Sequence, residues 1–454
     1  MRFSIFTLGC KVNQYESLEM EKTLIVRGHT KAAPDEGCDV CIINTCAVTA
    51  ESTRKSRQAV RRLKKREPNA LIAVCGCYTQ LEPGAAGELG VDIIGGSEGK
   101  EKFAIKIERL FNSNKTETKL NEFITEERHN SKQSTNREKD NDSRLDLDRV
   151  TKWQIDDISN RRTRALLKIQ DGCDNFCAYC VIPFARGRSS SVPLEILSKK
   201  ALLIKRAGYK EIIITGIEIS SYGKDLKSNG LTLIDAVSVI AGAAPDLRLR
   251  IGSLDPGKMC DKMIEKLREI PDLCPHFHLS LQSGCDSTLL RMGRHYNTEH
   301  VLNTIASLRR NFKDCFIASD LIVGFPGETD GEFEKTLSFI KEADFSAMHI
   351  FPFSSRAGTR AAAMAGQVTK QCRQERAAVA TDLAKVMSTR FKQNQIGKTT
   401  EVLFEQTQEG FWSGYSSNYL EIRALNGGAR NMRCEVKLVK IENDAVYGNI
   451  LAVI

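Results

Sequence analysis

Short apolar runs alternate with helix-length polar segments over the first hundred residues. The runs predict four strands, at Phe3–Leu8, Val40–Asn44, Leu71–Cys75 and Val91–Gly95. Helical spacing predicts helices at Glu16–Arg27 and Ser52–Arg66. Strands that alternate with helices indicate a parallel sheet covered on both faces. Residues 1–112 are therefore predicted to form an α/β domain of the flavodoxin-like or Rossmann-like type.

The composition changes after this domain. Residues 130–143 contain no apolar residue, so this stretch cannot bury enough surface to offset the entropy of ordering it. We expect residues 113–160 to form a polar, flexible linker.

Strand and helix signals return after the linker. They predict six βα repeats, with strands at Ala165–Gln170, Glu211–Thr215, Leu247–Gly252, His276–Leu281, Ala318–Val323 and Met348–Phe353. Such a series favours an incomplete (β/α)6 barrel over residues 161–392.

The last part of the chain shows strands without helices between them. Five are predicted, at Thr400–Glu405, Gly410–Tyr415, Tyr419–Ala424, Arg433–Glu442 and Ala445–Val453. Short strands separated by turn residues are typical of a small β-barrel, which we place at residues 393–454.

Composition and charge narrow the class of protein. A chain of 454 residues suggests about three domains, and a net charge of +9 favours an anionic partner. The start of the sequence shows no signal-peptide pattern, and no apolar run approaches the ~20 residues of a membrane span. Fifteen cysteines then indicate metal or redox chemistry in the reducing cytoplasm rather than disulfides.

Three cysteines share one loop after the first barrel strand. Cys173, Cys177 and Cys180 have the spacing CxxxCxxC. Electron-transfer clusters take four cysteines, whereas three would leave one iron of a cubane cluster open to a small molecule, as catalytic zinc sites keep one position open. A zinc site or a chance grouping is the alternative, although no further Cys or His follows before Cys260.

Three cysteines of the first domain share one structural position. Cys10, Cys46 and Cys77 follow the first, second and third predicted strands. Because ligands of open α/β sheets bind outside the carboxyl ends of the strands, these side chains can converge on one metal centre. Packing as small buried hydrophobic residues is the alternative.

The loop around Cys173 resembles that of the radical S-adenosylmethionine (SAM) enzymes, in which an aromatic residue, here Tyr179, precedes the last cysteine. The sequences TLGCKVNQYES at 7–17, NTCAVT at 44–49 and CGCYTQ at 75–80 resemble the cysteine motifs of the methylthiotransferases. The first of them is similar to the bacterial branch that acts on threonylcarbamoyladenosine in tRNA.

This resemblance implies two 4Fe-4S clusters, one on Cys173, Cys177 and Cys180 and one on Cys10, Cys46 and Cys77. SAM bound to the first cluster would yield a 5′-deoxyadenosyl radical, and the second cluster would carry the sulfur to be inserted. Tyr179 and the barrel positions that match the family's lining are expected to contact SAM or substrate: Gly216, Glu218, Gln282 and Asp320. The reaction implied converts t6A at tRNA position 37 to ms2t6A, and it needs a cytosolic electron donor and a sulfur source.

RNA contacts are predicted at three places. The basic helix at 52–66 and the residues just beyond the cysteine loop offer positive charge: Arg54, Lys55, Arg57 and Arg61, then Arg186 and Arg188. The last domain resembles a TRAM domain, a small RNA-binding barrel, with Trp412, Tyr415 and Tyr419 available for base stacking. A charged helix is also commonly just a solvated surface.

Other functions remain open at this point. Within the family, the substrate could be isopentenyladenosine in tRNA or an aspartate of a ribosomal protein. From another class, the chain could be a non-catalytic iron–sulfur protein that binds RNA.

Overall fold

The computed structural model describes residues 1–33, 36–113, 163–226 and 230–454. The predicted linker at 113–160 therefore lies, apart from its first residue, outside the described residues. The described chain forms two compact units. The first contains the residues before 114 together with Phe184–Arg186, and the second contains residues 163–183 and those from Gly187 onward.

The first unit is built on a parallel sheet, as the sequence predicts. Its strands are β1 (Arg2–Thr7), β2 (Thr30–Lys31), β3 (Val40–Thr45), β4 (Leu71–Gly76) and β5 (Ile93–Ile94), in the order β2-β1-β3-β4-β5. Its helices are α1 (Lys11–Val26), α2 (Ala50–Arg66), α3 (Cys77–Leu81), α4 (Pro83–Gly87) and α5 (Lys100–Ser113). Strands β3 and β4 are buried throughout, because helices cover both faces of a parallel sheet.

The second unit begins with an open barrel of parallel strands. Its principal strands are β6 (Arg164–Lys168), β9 (Glu211–Thr215), β10 (Arg248–Ile251), β12 (His276–Gln282), β13 (Phe316–Val323) and β14 (Ala347–Pro352). The short strands are β7 (Gln170–Asp171), β8 (Ser190–Ser191) and β11 (Ser253–Leu254). They form sheets of order β10-β9-β6 and β11-β12-β13-β14, with the break between them at Gly252.

Helices follow the barrel strands along the chain, and the last three residues of the first of these helices, Phe184–Arg186, belong to the first unit. They are α6 (Ile182–Arg186), α7 (Leu194–Arg206), α8 (Leu233–Ala243), α9 (Asp261–Arg268), α10 (Asp286–Met292), α11 (Thr298–Asn311), α12 (Asp330–Ala343), α13 (Arg360–Ala363) and α14 (Lys370–Gln393). One continuous apolar core joins the outward side chains of the strands to α7, α8, α9, α11, α12 and α14. The other side of the strands is left to line the barrel interior. No helix in the described parts of the chain has the length and apolarity needed to cross a membrane.

The chain ends in a closed five-stranded barrel, which confirms the predicted β-barrel. Its strands are β15 (Thr399–Gln408), β16 (Phe411–Ser416), β17 (Glu421–Ala424), β18 (Arg433–Glu442) and β19 (Ala445–Val453), in the order β15-β16-β17-β19-β18. Alternate residues of these strands fill a core of its own.

Charged residues join this small barrel to the amino-terminal ends of the parallel strands. Glu211 is buried between Arg248 and Arg250, and the Arg250 guanidinium also donates to the carbonyl oxygens of Ser416 and Ser417 at 3.1 and 2.9 Å. The small barrel thus lies at the end of the parallel barrel opposite to the cysteine loop, which follows the carboxyl end of β6.

Candidate functional site

The first cysteine set converges at the carboxyl ends of β1, β3 and β4. Cys10 lies immediately before α1, Cys46 follows β3, and Cys77 begins α3. Burial, with smaller contributions from the nearby thiols of Cys10 and Cys46, raises the pKa of Cys77 to about 11, although Arg186 opposes the shift. Because β1, β3 and β4 are adjacent and parallel, the three cysteines lie at one edge of the sheet, as their shared position after successive strands predicts.

Two glycines allow the backbone segments beside these cysteines to come close to one another. Gly9 has φ +99°, and a Cβ atom there would lie 2.9 Å from the sulfur of Cys46. Gly76 has φ +109°, and a Cβ atom would lie 2.7 Å from the side-chain oxygen of Asn44. Both positions combine a left-handed backbone with no room for a side chain, so only glycine fits.

Arg186 occupies this first site, which corrects its assignment to RNA contact. Its guanidinium is buried, and it donates to Glu16 Oε1 at 2.7 Å and to Asn13 Oδ1 at 2.6 Å. A phosphate contact would require this group to face solvent. Instead its positive charge lies beside the thiols and lowers the pKa of Cys46 and Cys77 against the larger effect of burial.

Helix α2 supports the same site and also presents a basic surface. The Ser56 hydroxyl accepts a hydrogen bond from the Cys46 amide at 3.2 Å and donates to the Cys46 carbonyl at 3.0 Å. On the opposite side of the helix, Arg54, Lys55 and Arg61 are exposed and Arg57 is partly exposed. The charge predicted for RNA binding is therefore available to a partner, apart from the ion pairs of Arg54 and Lys55 with Glu51.

The second cysteine set lies on one tight loop after β6. The backbone N–H groups of Asn175 and Ile182 each point at a sulfur, of Cys173 and Cys180 respectively, at 3.4 Å. Burial, with smaller contributions from the neighbouring thiols, raises the pKa of Cys173 to about 11 and that of Cys180 to about 12. Metal binding at such thiols must release their protons.

Arg294 was not found by the sequence analysis. Its guanidinium is buried, donates to the sulfur of Cys177 at 3.2 Å, and donates to Asp255 Oδ1 at 2.9 Å. A fixed positive charge in contact with a thiolate favours the anionic form of a bound cluster. The only local signal was an arginine after a Met-Gly pair, which is too common to identify a site.

The carboxyl end of β9 brings a further group toward the loop. Glu218 contacts Lys258 and Ser221 through Oε2, whereas its other oxygen, Oε1, is buried without a hydrogen-bond partner among the described residues. An unpaired buried carboxylate oxygen close enough to Cys173 to raise the pKa of its thiol suits a ligand that carries an ammonium group. Gly216 keeps this turn close to β7, because a Cβ atom there would lie 2.8 Å from the Gln170 carbonyl oxygen.

Four further residues named in the sequence analysis lie at separate places: two on barrel strands, one in the cysteine loop and one just beyond it. Gln282 ends β12 with φ +72°. Asp320 lies in the middle of β13 and pairs with His278. Tyr179 packs against an apolar cluster that includes Phe325. Arg188 is exposed and pairs with Asp174 at 2.6 Å.

The aromatic residues of the small barrel are placed differently from the prediction. Tyr415 and Tyr419 stack on each other at 4.9 Å, and the Arg164 guanidinium lies 4.5 Å from the Tyr415 ring. The Arg250 guanidinium lies 4.9 Å from the Tyr419 ring. These contacts use the ring faces that base stacking needs, which corrects the assignment of both tyrosines to RNA stacking. Trp412 packs partly against the core of the small barrel.

Comparison with known proteins supports this description of the site. Residues 167–340 match the Radical SAM superfamily, and residues 2–94 match the family described as Uncharacterized protein family UPF0004. In fold, the chain is similar to the radical S-adenosylmethionine methyltransferase TsrM from Kitasatospora setae. That likeness has a TM-score of 0.53 at 15% identity and covers 78% of this chain and 75% of TsrM. The central barrel is thus a radical SAM domain, a class that uses SAM and a 4Fe-4S cluster.

Similar sequences extend over nearly the whole chain. It is 37% identical to the threonylcarbamoyladenosine tRNA methylthiotransferase MtaB of Thermotoga maritima over 92% of this chain and 90% of that protein. It is 30% identical to the tRNA-2-methylthio-N(6)-dimethylallyladenosine synthase of Caldicellulosiruptor saccharolyticus over 99% of this chain and 92% of that protein. The chain belongs to the family of radical SAM methylthiotransferases.

Proposed function

We propose that the protein is a tRNA methylthiotransferase that converts t6A at position 37 to ms2t6A by inserting a methylthio group at C2 of the adenine. The observation that carries the proposal is a pair of separate three-cysteine sites in a chain that aligns along 92% of its length with an MtaB protein. Each set would hold a 4Fe-4S cluster with one iron free of protein ligands. When bound, the clusters and SAM supply the electron, the radical, the methyl group and the sulfur.

The residues of the chain position and protect this chemistry. Cys173, Cys177 and Cys180 would hold the SAM-binding cluster, and the unpaired oxygen of Glu218 would accept a hydrogen bond from the SAM ammonium group. Arg294 fixes Cys177 and carries the compensating charge. Cys10, Cys46 and Cys77 would hold the second cluster, with Arg186 buried beside them.

The exposed basic residues of α2 would contact the tRNA backbone, and such contacts weaken with rising salt. A cytosolic electron donor and a sulfur source would complete the reaction. The cytoplasmic location and the TRAM-like character of the last barrel stay predictions.

Mass spectrometry of tRNA nucleosides tests the proposal. In a strain that lacks the gene we expect ms2t6A to disappear, t6A to accumulate, and ms2i6A to be unchanged. Plasmid-borne wild type should restore ms2t6A, whereas Cys173→Ala and Cys46→Ala should not. Loss of ms2i6A with persistence of ms2t6A would instead assign the chain to the isopentenyladenosine substrate.

A further inference from the structure

A polar cluster on the strands of the radical SAM barrel is made of residues that belong to neither cysteine set. His278, Asp320 and His349 lie on the adjacent strands β12, β13 and β14, and Asp320 is directly opposite His349 in the strand register. Their neighbours along the strands, such as Leu279 and Leu321, belong to the apolar core packed by the helices. Because side chains alternate along a strand, the three polar residues face the other side, toward the barrel interior.

Within the described residues, His278 and one oxygen of Asp320 have hydrogen-bond partners, whereas the other oxygen of Asp320 and the ring of His349 do not. His278 Nε2 lies 3.2 Å from Asp320 Oδ1, and His278 Nδ1 lies 2.8 Å from the Ser253 hydroxyl, so both of its ring nitrogens have partners. Among the described residues, Asp320 Oδ2 and the ring nitrogens of His349 have no hydrogen-bond partner. The cluster therefore offers one carboxylate acceptor and one imidazole to a ligand inside the barrel.

We propose that Asp320 and His349, with His278 orienting Asp320, bind the polar acyl group on N6 of the substrate adenine. This inference rests on the proposed function. A threonylcarbamoyl group carries ureido N–H and hydroxyl donors for Asp320, and carbonyl and carboxylate acceptors for His349. A dimethylallyl group offers no hydrogen bond, so it would leave both side chains desolvated and unpaired. The cluster thus selects t6A over i6A.

Two imidazoles and a carboxylate within 4.8 Å could also bind a divalent metal. The geometry favours the substrate assignment, because the nitrogen of His278 that would bind the metal is already within hydrogen-bond distance of Asp320.

The test uses the full-length, anaerobically reconstituted enzyme and three anticodon stem-loops that carry t6A, i6A or unmodified A at position 37. We expect Asp320→Asn and His349→Gln each to weaken binding of the t6A stem-loop by about tenfold or more, because Asn replaces the charged acceptor with a neutral one and Gln does not hold its donor where the imidazole does. Binding of the unmodified stem-loop, which has no acyl group to contact, should stay as in wild type, and formation of 5′-deoxyadenosine without RNA is measured in parallel to detect any effect on SAM. Asp382→Asn, an exposed aspartate on α14, is the matched control and should bind all three RNAs as wild type does.

Several results would overturn the inference. Loss of SAM cleavage in Asp320→Asn would return this residue to cofactor binding, and equal loss of affinity for all three RNAs would show a general structural effect. A stoichiometric divalent metal in wild type that His349→Gln removes would make the cluster a metal site. If wild type modifies t6A and both variants discriminate as wild type does, only this inference fails. If wild type neither prefers nor modifies t6A, the proposed function fails with it.

Discussion

Single side chains set the charge around the SAM-binding cluster, and Arg294 is the clearest case. Its guanidinium is buried against the sulfur of Cys177 and is held there by Asp255. A hydrogen bond from a cation stabilises electron density on the sulfur, so it raises the reduction potential of a cluster bound there. The arginine therefore makes the cluster easier to reduce.

We predict that Arg294→Gln makes the reduction potential of this cluster more negative while iron content stays at about four per cysteine set. Anaerobic redox titration followed by electron paramagnetic resonance measures the change. Arg390→Gln removes an exposed arginine on α14 and should leave the potential as it is. A potential in Arg294→Gln equal to that of wild type would show that the contact does not tune the cluster.

The glycine at position 9 provides a second test at this scale. Gly9 and Gly28 both have positive φ, but a Cβ atom at Gly9 meets the sulfur of Cys46, whereas one at Gly28 meets nothing within 4 Å. We predict that both Gly→Ala changes lower the free energy of unfolding by about 1–2 kcal/mol for the backbone conformation. Only Gly9→Ala should also lose about four irons, because it blocks the approach of Cys46. If Gly9→Ala retained its iron, Gly9 would not be needed to form the metal site.

Buried charge at the start of three strands holds the radical SAM barrel to the small barrel. Glu211 begins β9, Arg248 begins β10, and Arg164 begins β6. Burial alone would raise the pKa of Glu211, but Arg250 and Arg248 lower it to about 2 from the usual 4.5. A carboxyl group with a lowered pKa contributes stability above the unfolded-state pKa, and the contribution is lost as pH falls toward the folded-state value.

We predict that the free energy of unfolding of the second unit falls between about pH 4.5 and pH 2, and that Glu211→Gln removes this part of the pH dependence. At neutral pH the substitution should cost about 3–5 kcal/mol, because it leaves the buried Arg250 guanidinium without its carboxylate partner and leaves Arg248 only Glu401, at 3.4 Å. Denaturant unfolding across this pH range measures both effects. Glu442→Gln, in an exposed pair with Lys440, should have little effect, and an equally small effect of Glu211→Gln would contradict the account.

Strands and helices could be predicted from the sequence where a local pattern of apolar residues marks them. Continuous apolar runs located β3 and β4, since strands of a parallel sheet are buried on both faces. Helix α1 was predicted to begin at Glu16 but begins at Lys11. The apolar spacing does not reveal its first turns, because the residues that these turns bury are partly polar and include Asn13 and Glu16. Their partner is Arg186, and no local pattern reports a pairing over 170 residues.

The candidate site was predictable to the same extent. Spacing and position after strands indicated the six cysteines, because sheet topology brings such positions together. Arg294 and His349 gave no usable signal, since their importance comes from neighbours that only the folded chain supplies. The two tyrosines were assigned to RNA stacking from the resemblance of the last barrel to a TRAM domain. That resemblance cannot tell an aromatic ring that faces a partner from one that packs against internal arginines.

At the scale of the whole molecule, two separate three-cysteine sets in one chain distinguish this architecture from a single radical SAM barrel. The thiols of the first site come from three separate strand ends, whereas those of the second come from one loop. Each set lies within its own compact unit. Because no cysteine is shared, loss of one cluster should leave the other in place.

Iron and acid-labile sulfide analysis of anaerobically reconstituted protein tests this claim most directly. The account predicts about eight irons in wild type, about four in Cys173→Ala, and about four in Cys46→Ala. Cys260→Ala, at an exposed cysteine outside both sets, should keep about eight. About four irons in wild type, or loss of all iron from either single variant, would contradict the existence of two independent clusters.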